Sequence, residues 1–352
     1  MFLLENYFVA VLFCFITMLC WGSWANAQKL AGKTWRYELF YWDYVFGVVI
    51  TAIIFALTMG SNGDYGRSLS EDLLQSNIIS LGYAFCGGVV FNIANILLVA
   101  AIAIAGMSVA FPVGIGLALV LGVLLNYAAN PAESGNPTLL FSGVGLVALA
   151  IITNALAYRR LPGQGGKSGF KGLFLAILCG CLMSTFYYFV SQSLAQVILA
   201  DGSQIPLTLS NLSQTGATLE PGKLTPYTGN LVFTFGILIS NFILMPFLME
   251  KPLVGTPVAL FDYFKGTCRD HIWGLIGGAI WAVGMTLNVI ASGVASPAVA
   301  YGLGQGATLM SAIWGVFIWK EFKEAPKGTS KMLNLMFLFF VVGLALIIWT
   351  KM

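Results

Sequence analysis

Residues 86–119, CGGVVFNIANILLVAAIAIAGMSVAFPVGIGLAL, align without a gap on residues 276–309, IGGAIWAVGMTLNVIASGVASPAVAYGLGQGATL. Gly87 and Gly88 match Gly277 and Gly278, Val109 and Ala110 match Val299 and Ala300, and Gly114 and Gly116 match Gly304 and Gly306. Aromatic residues correspond as well, Phe91 with Trp281 and Phe111 with Tyr301. Self-similarity at one long, fixed offset marks a duplicated structural unit. Apolar bias alone produces scattered matches, but paired glycines with matched aromatics across a helix, a turn and a second helix point to true duplication.

The rest of the chain has the same character as this stretch. Of 352 residues, 58% are hydrophobic and only 9% charged, against roughly 25% charged in a soluble domain. That excludes a soluble enzyme, and the net charge of +3 is too small and too interrupted by apolar runs for a nucleic-acid partner. Hydropathy, broken at Gly, Pro and charge clusters, predicts spans at 7–25, 40–59, 78–100, 106–128, 138–158, 172–198, 228–248, 271–291, 297–319 and 331–350. With these ten helices, all of the 17 Lys and Arg residues except Arg67, Lys223 and Lys351 fall on one side. The positive-inside rule makes that side cytoplasmic and leaves both termini outside, in a plasma or bacterial inner membrane. The apolar start followed by Ala25, Asn26 and Ala27 imitates a cleavable signal, but its leading segment holds Glu5 and no Lys or Arg; it reads as the first span.

The match places the third span on the eighth and the fourth on the ninth, so each half holds five helices and the odd number inverts the second half. We expect an all-α polytopic membrane protein: a first five-helix repeat at 1–160, a cytoplasmic connector at 161–171 and a second repeat at 172–352. Inverted repeats are the ground plan of many secondary transporters, because two interchangeable halves give inward-open and outward-open states of similar energy.

Little else in the chain can carry chemistry. The six cysteines form no CxxC pair and read as small buried apolar residues. His271 beside Asp270 reads as interfacial, and Gly165, Gly166, Lys167 and Ser168 lack the leading glycine of a phosphate loop, Leu161 standing there instead. No cofactor or metal is implied. What remains is a set of uncharged polar and aromatic residues inside spans. Asn92 and Asn95 share one helix face, as do Trp281 and Asn288; Tyr301, Gln305 and Thr308 follow on the ninth span, and Ser184, Tyr187, Tyr188, Ser191 and Gln192 on the sixth. Trp21 and Trp24 join from the first. Buried amides must find partners or line a wet cavity. Each residue alone reads more simply as interhelical glue, but amides, hydroxyls and aromatic faces without a buried cation suit a neutral, ring-containing, hydrogen-bonding solute. Asp43, the one acid inside a predicted span, is the candidate for proton coupling; its plainer reading is an interfacial carboxylate balanced by Lys29, Lys33 and Arg36.

Several stretches resemble the drug/metabolite transporter superfamily, in the branch of ureide permeases, glucose/ribose porters and rhamnose transporters. They are LTPYTGNLVFTFGILISNFILMPFL from Leu224, PLVG at 252–255, WGLIGGAIWAVGMTLNV from Trp273 and VAYGLGQGATLMSAIWGVFIWKE from Val299, with weaker echoes in CWGSW at 20–24 and WDY at 42–44. The resemblance implies ten helices in two inverted repeats, external termini, alternating access, and a central cavity lined by helices 1, 3, 4, 6, 8 and 9. It also implies proton coupling; the expected partners are a coupling ion, a proton or Na⁺, and the lipid bilayer, with the chain a monomer or homodimer. The expected function is a proton-coupled importer of a small neutral polar metabolite, a sugar, nucleobase, nucleoside or ureide. The competing reading is a drug or metabolite exporter of the same superfamily.

Overall fold

The structure, a computed structural model, describes residues 1–31, 35–161, 170–253 and 255–352. Lys33, Val254 and most of the 161–171 connector, including Gly165 to Ser168, lie outside the described residues. Among those described, nine helices are long and apolar enough to cross a membrane: α1 Tyr7–Leu30, α2 Tyr37–Leu57, α3 Ile78–Ala105, α4 Phe111–Ala129, α5 Pro137–Tyr158, α6 Phe170–Ser193, α7 Pro226–Glu250, α8 Cys268–Ala295 and, after an interruption, α10 Thr329–Trp349. Their starts are written in the polar loops. Asn6, Asn77, Asn136, Thr225 and Thr267 each accept a backbone N–H of the first turn through the side chain, satisfying donors that lipid could not.

The expected ninth span is not one continuous helix. The α9 segment breaks into Pro297–Gly304 and Ala307–Ile313, followed by a π-turn at Trp314–Ile318. Gln305 and Gly306 sit in the break, their N–H groups bonding back to the Tyr301 and Leu303 carbonyls. A second π-turn, Phe111–Ile115, opens α4. Broken helices and π-turns leave backbone groups to be satisfied elsewhere, and cluster where a membrane protein lines a cavity. The sixth helix also stops short of the expected 198. Residues beyond Ser193 leave it to form strand β1 Val197–Ile198, which pairs antiparallel with β2 Gln204–Ile205 and β3 Thr218–Leu219.

The helix ends gather on two faces. On one, the Arg269 guanidinium donates to the Leu30 carbonyl, Lys29 pairs with Glu321 at 3.0 Å, and Arg36 reaches the Thr256 carbonyl at 2.6 Å. This face holds the described Lys and Arg except Arg67, Lys223 and Lys351. The opposite face holds both termini: the Met1 amine donates to the Tyr65 carbonyl and Lys351 Nζ to the Val294 carbonyl. The small sheet lies there too, with a short helix, Leu69–Gln75, tied down by buried Asp72. Asp72 accepts from Arg67 at 2.8 Å and from the Thr225 N–H at 2.7 Å, joining the second loop to the start of α7.

The sequence match extends into geometry. Helices α3 and α8 each run 28 residues, from side-chain caps at the matched positions Asn77 and Thr267 to the matched positions Gly106 (φ 78°, ψ 163°) and Ser296 (φ 77°, ψ 154°). Glycine adopts that backbone freely; at Ser296 a serine is held in it at a cost of about 1–3 kcal/mol. A Cβ on Gly88 would lie 1.9 Å from the Phe233 carbonyl oxygen of α7, and one on Gly278 would lie 1.9 Å from the Tyr44 carbonyl oxygen of α2. Gly236 and Gly47 answer from those partners, approaching the Phe85 and Leu275 carbonyls. The two pairs run in opposite senses. α3 starts beside Gly222 on the terminus-bearing face, whereas α8 starts beside Leu30 on the basic face.

Candidate functional site

A cavity of about 330 Å³ lies in the half of the molecule nearer the basic face. Helix α1 contributes Trp21 and Trp24, three residues apart and so on one face, with Gln28 one turn further. Phe91 and Asn95 come from α3, Met183 and Phe186 from α6, Trp281 from α8, and Tyr37 from the first turn of α2. The break in α9 delivers Gln305 and Thr308, and Ser311 follows one turn later. Gln305 sits at the end of the first α9 segment, where the helix breaks, and lines the cavity.

Aromatic packing builds the floor. The Trp21 and Trp281 rings stack at 6.0 Å and 11°, Trp281 lies 4.6 Å from Phe91, and Phe91 meets Phe186 edge-on at 5.2 Å. Trp21 wedges between two glycines: a Cβ on Gly284 would lie 2.9 Å from its ring and one on Gly304 2.8 Å. Close packing is therefore what Gly304 provides, and it lets a large indole face the cavity. Asn95 is oriented by a buried chain in which its amide N–H donates to Tyr41 Oη at 3.0 Å and Tyr41 donates to Asn92 Oδ1 at 2.9 Å. Asn92 in turn donates to Ser240 Oγ at 3.0 Å. No charged side chain lines the cavity among the described residues. It offers flat apolar faces with a few neutral hydrogen-bonding groups, the usual make-up of a small-molecule site.

Trp21, Trp24, Asn95, Trp281, Gln305 and Thr308, read from the sequence as possible solute contacts, come together here. The other candidates lie outside the lining. Asn92 is fully buried and bonded on both sides of its amide, so it positions Asn95 at one remove. Tyr187 donates to the Asn288 backbone carbonyl, Asn288 to the Ala300 carbonyl at 2.9 Å, and Tyr301 to the Ala118 and Met183 carbonyls; these buried bonds tie α4, α6, α8 and α9 together. Tyr188 packs edge-on to Phe189, and the Gln192 carbonyl accepts from Lys223. Gln28, Tyr37, Phe91 and Phe186 are among the lining residues that the sequence did not single out. Phe91 had a signal in its match to Trp281, whereas Tyr37 lies just before the expected 40–59 span and only tertiary packing brings it in. The difference at Asn92 is testable. Asn92→Ala should lower thermal stability by about 1–3 kcal/mol by orphaning buried partners, whereas Gln305→Ala should weaken uptake at unchanged abundance.

Asp43 does not line this cavity; it packs against α8, where a Cβ on Gly274 would lie 2.3 Å from its own Cβ. It is 2% exposed, its carboxylate 2.9 Å from His271 Nδ1, and it accepts a hydrogen bond from Tyr263 of the Leu260–Lys265 turn. Burial, reinforced by the Asp43 carboxylate, pushes the Tyr263 hydroxyl well above its ordinary pKa. The interfacial reading of His271 therefore changes: it partners a buried acid, with Trp35 packed edge-on to its ring at 5.2 Å. Lys29, expected to balance Asp43, pairs with Glu321, and Arg36 pairs with Glu38.

Comparison with known proteins places this geometry. Ureide permease 1 of Arabidopsis thaliana is 23% identical over 99% of this chain and 98% of its own length. A probable ureide permease A3 of Vigna unguiculata is 21% identical over 93% of this chain and 99% of its own. A solved crystal structure 17% identical in sequence shares the fold, with a TM-score of 0.59 over 96% of both chains. These relatives are named as permeases, not enzymes. The ureide permease family model matches residues 40–161 and 166–350, nearly the whole length of the helical bundle, and the chain belongs to that family.

Proposed function

We propose that this permease carries a small, neutral, ring-containing polar solute, of the ureide, nucleobase or sugar type, by alternating access between two inverted five-helix repeats. The repeats are 1–160 and 172–352, joined by the 161–171 connector. The observation that carries the substrate class is the cavity wall: indole and phenyl faces with Asn95, Gln305, Gln28 and Thr308, and no described cation to hold an anion. The relatives' names favour a ureide among such solutes. The excess of basic residues makes the cavity's nearer face cytoplasmic and both termini external. Purified protein is then expected to gain thermal stability with one of these neutral classes, since a ligand of the folded state stabilises by mass action. Shifts with lipophilic cations alone would overturn the importer reading in favour of an exporter.

Proton coupling at Asp43 is part of the proposal, with His271 as its partner. A buried carboxylate in contact with a histidine and a tyrosine can exchange a proton without meeting bulk water. Asp43→Asn is expected to abolish accumulation against a gradient while sparing solute exchange in proteoliposomes. Full accumulation by the variant, or its dependence on a Na⁺ gradient, would remove Asp43 from proton coupling.

A further inference from the structure

The matched registers say where the residues that line the cavity have counterparts. Tyr37 begins α2 as Pro226 begins α7, and the α3 to α8 alignment carries Val99 to Val289 and Ile102 to Ser292. Tyr37, Val99 and Ile102 line the large cavity. Pro226, Val289 and Ser292 line a different one, of about 60 Å³, beneath the β-sheet loop on the terminus-bearing face. The same alignment carries the cavity residues Leu98 and Phe111 to Asn288 and Tyr301, which fill the protein between the two spaces.

A second observation points the same way. Asn288 is wholly buried, and its side-chain carbonyl oxygen has no hydrogen-bond partner. An orphaned amide oxygen among apolar helices is costly. At the position matched to a cavity-lining residue, it is a group that meets water or solute when that half of the molecule opens. The small cavity is polar as well: Asn130, Glu133, Ser191 and Gln196 join Ser292 on its wall. Side-chain bonds surround it, and Leu207 of the covering loop packs its carbonyl closely on Gly293 of α8. Gln196 donates to Glu133 at 3.0 Å, Ser191 donates to Asn126, and Lys351 caps the end of α8. Burial moves Glu133 up and Lys351 down from their ordinary pKa values, so opening this half rehydrates both.

We infer that the small cavity is the collapsed outer counterpart of the large one, a second solute site. There Glu133, Asn130 and Ser191 would accept hydrogen bonds from the N–H or O–H groups of the same neutral solute, with Asn288 exposed at its floor. This rests on the alternating-access reading and adds the route and its contacts.

Single cysteines at Ser292 and, separately, Ala195 test it, in a full-length chain whose six native cysteines are replaced. Intact cells are treated from outside with a membrane-impermeant maleimide, and the labelled fraction and solute uptake are both read. Modification is expected at both positions, with loss of uptake. A transported solute supplied at ten times its Kd should slow labelling about tenfold by occupancy. A cysteine at Ala307, on the wall of the large cavity, should react from the cytoplasmic side. Uptake that continues while both outer positions stay unlabelled, or label at a rate the solute does not change, overturns the inference alone. A parent chain that carries no neutral solute overturns the transport reading instead.

Discussion

Trp281→Ala is expected to cut uptake at least thirtyfold per folded molecule, the largest functional effect of any single substitution in the cavity. The indole is 4% exposed and joins four helices, stacking on Trp21 of α1 and Phe233 of α7, packing on Phe91 of α3 and meeting Tyr44 of α2 at 6.5 Å. It serves as both wall and floor. A buried aromatic anchor at the centre of a binding site is typically worth 2 kcal/mol or more, which sets the thirtyfold figure. Truncation also opens a void, with a stability cost of about 3–5 kcal/mol, so uptake must be normalised to folded protein in the membrane. Trp281→Phe separates the two effects. It keeps an aromatic face against Trp21 and is expected to retain abundance while raising the solute concentration needed for half-maximal uptake. Normal transport per molecule by both variants would remove Trp281 from the solute site.

The largest effect on folding is expected from Gly88→Val and Gly278→Val. Each places its first added carbon 1.9 Å from a backbone carbonyl oxygen of the facing helix, where no rotamer change relieves the clash. Overpacking in a core costs about 1–3 kcal/mol when side chains can yield; backbone must move here, so the loss is expected at or beyond the upper end. Gly82→Ala on the same α3 helix is the control, because nothing lies within 4 Å of its added carbon. Melting of detergent-purified protein should drop for both valine variants by similar amounts, since the two contacts correspond, and should rise slightly for the control, where alanine favours the helix by up to about 1 kcal/mol. A strongly unequal loss would mean that the two interfaces contribute differently despite their matched geometry.

These two sites were unequally visible beforehand. The glycines at 88 and 278 stood out from sequence because duplication repeats them, and a glycine pair facing hydrocarbon has little purpose except close approach of helices. Trp281 stood out through its match to Phe91, yet nothing local distinguished an indole that lines a cavity from one that packs a core. Asn92 and Asn95 illustrate the same limit. They are three residues apart on one face and identical in chemistry, but Tyr41 and Ser240 consume Asn92 while Asn95 keeps its carbonyl for the cavity. His271 was read as interfacial because its partner, Asp43, is 228 residues away and meets it only when α2 packs on α8.

By itself the sequence determined the membrane-embedded, all-helical class, the sorting of basic residues to one face and the match of the α3–α4 stretch to the α8–α9 stretch. All of these follow from local composition and period, which need no knowledge of neighbours. Tertiary structure decided the break in α9 beside Gln305, the division of the polar candidates between the cavity wall and the buried bonds around it, and the partners of Asp43. Those outcomes depend on which helices touch and how closely, and in an apolar bundle a hydrogen bond goes to whichever group packing brings within reach.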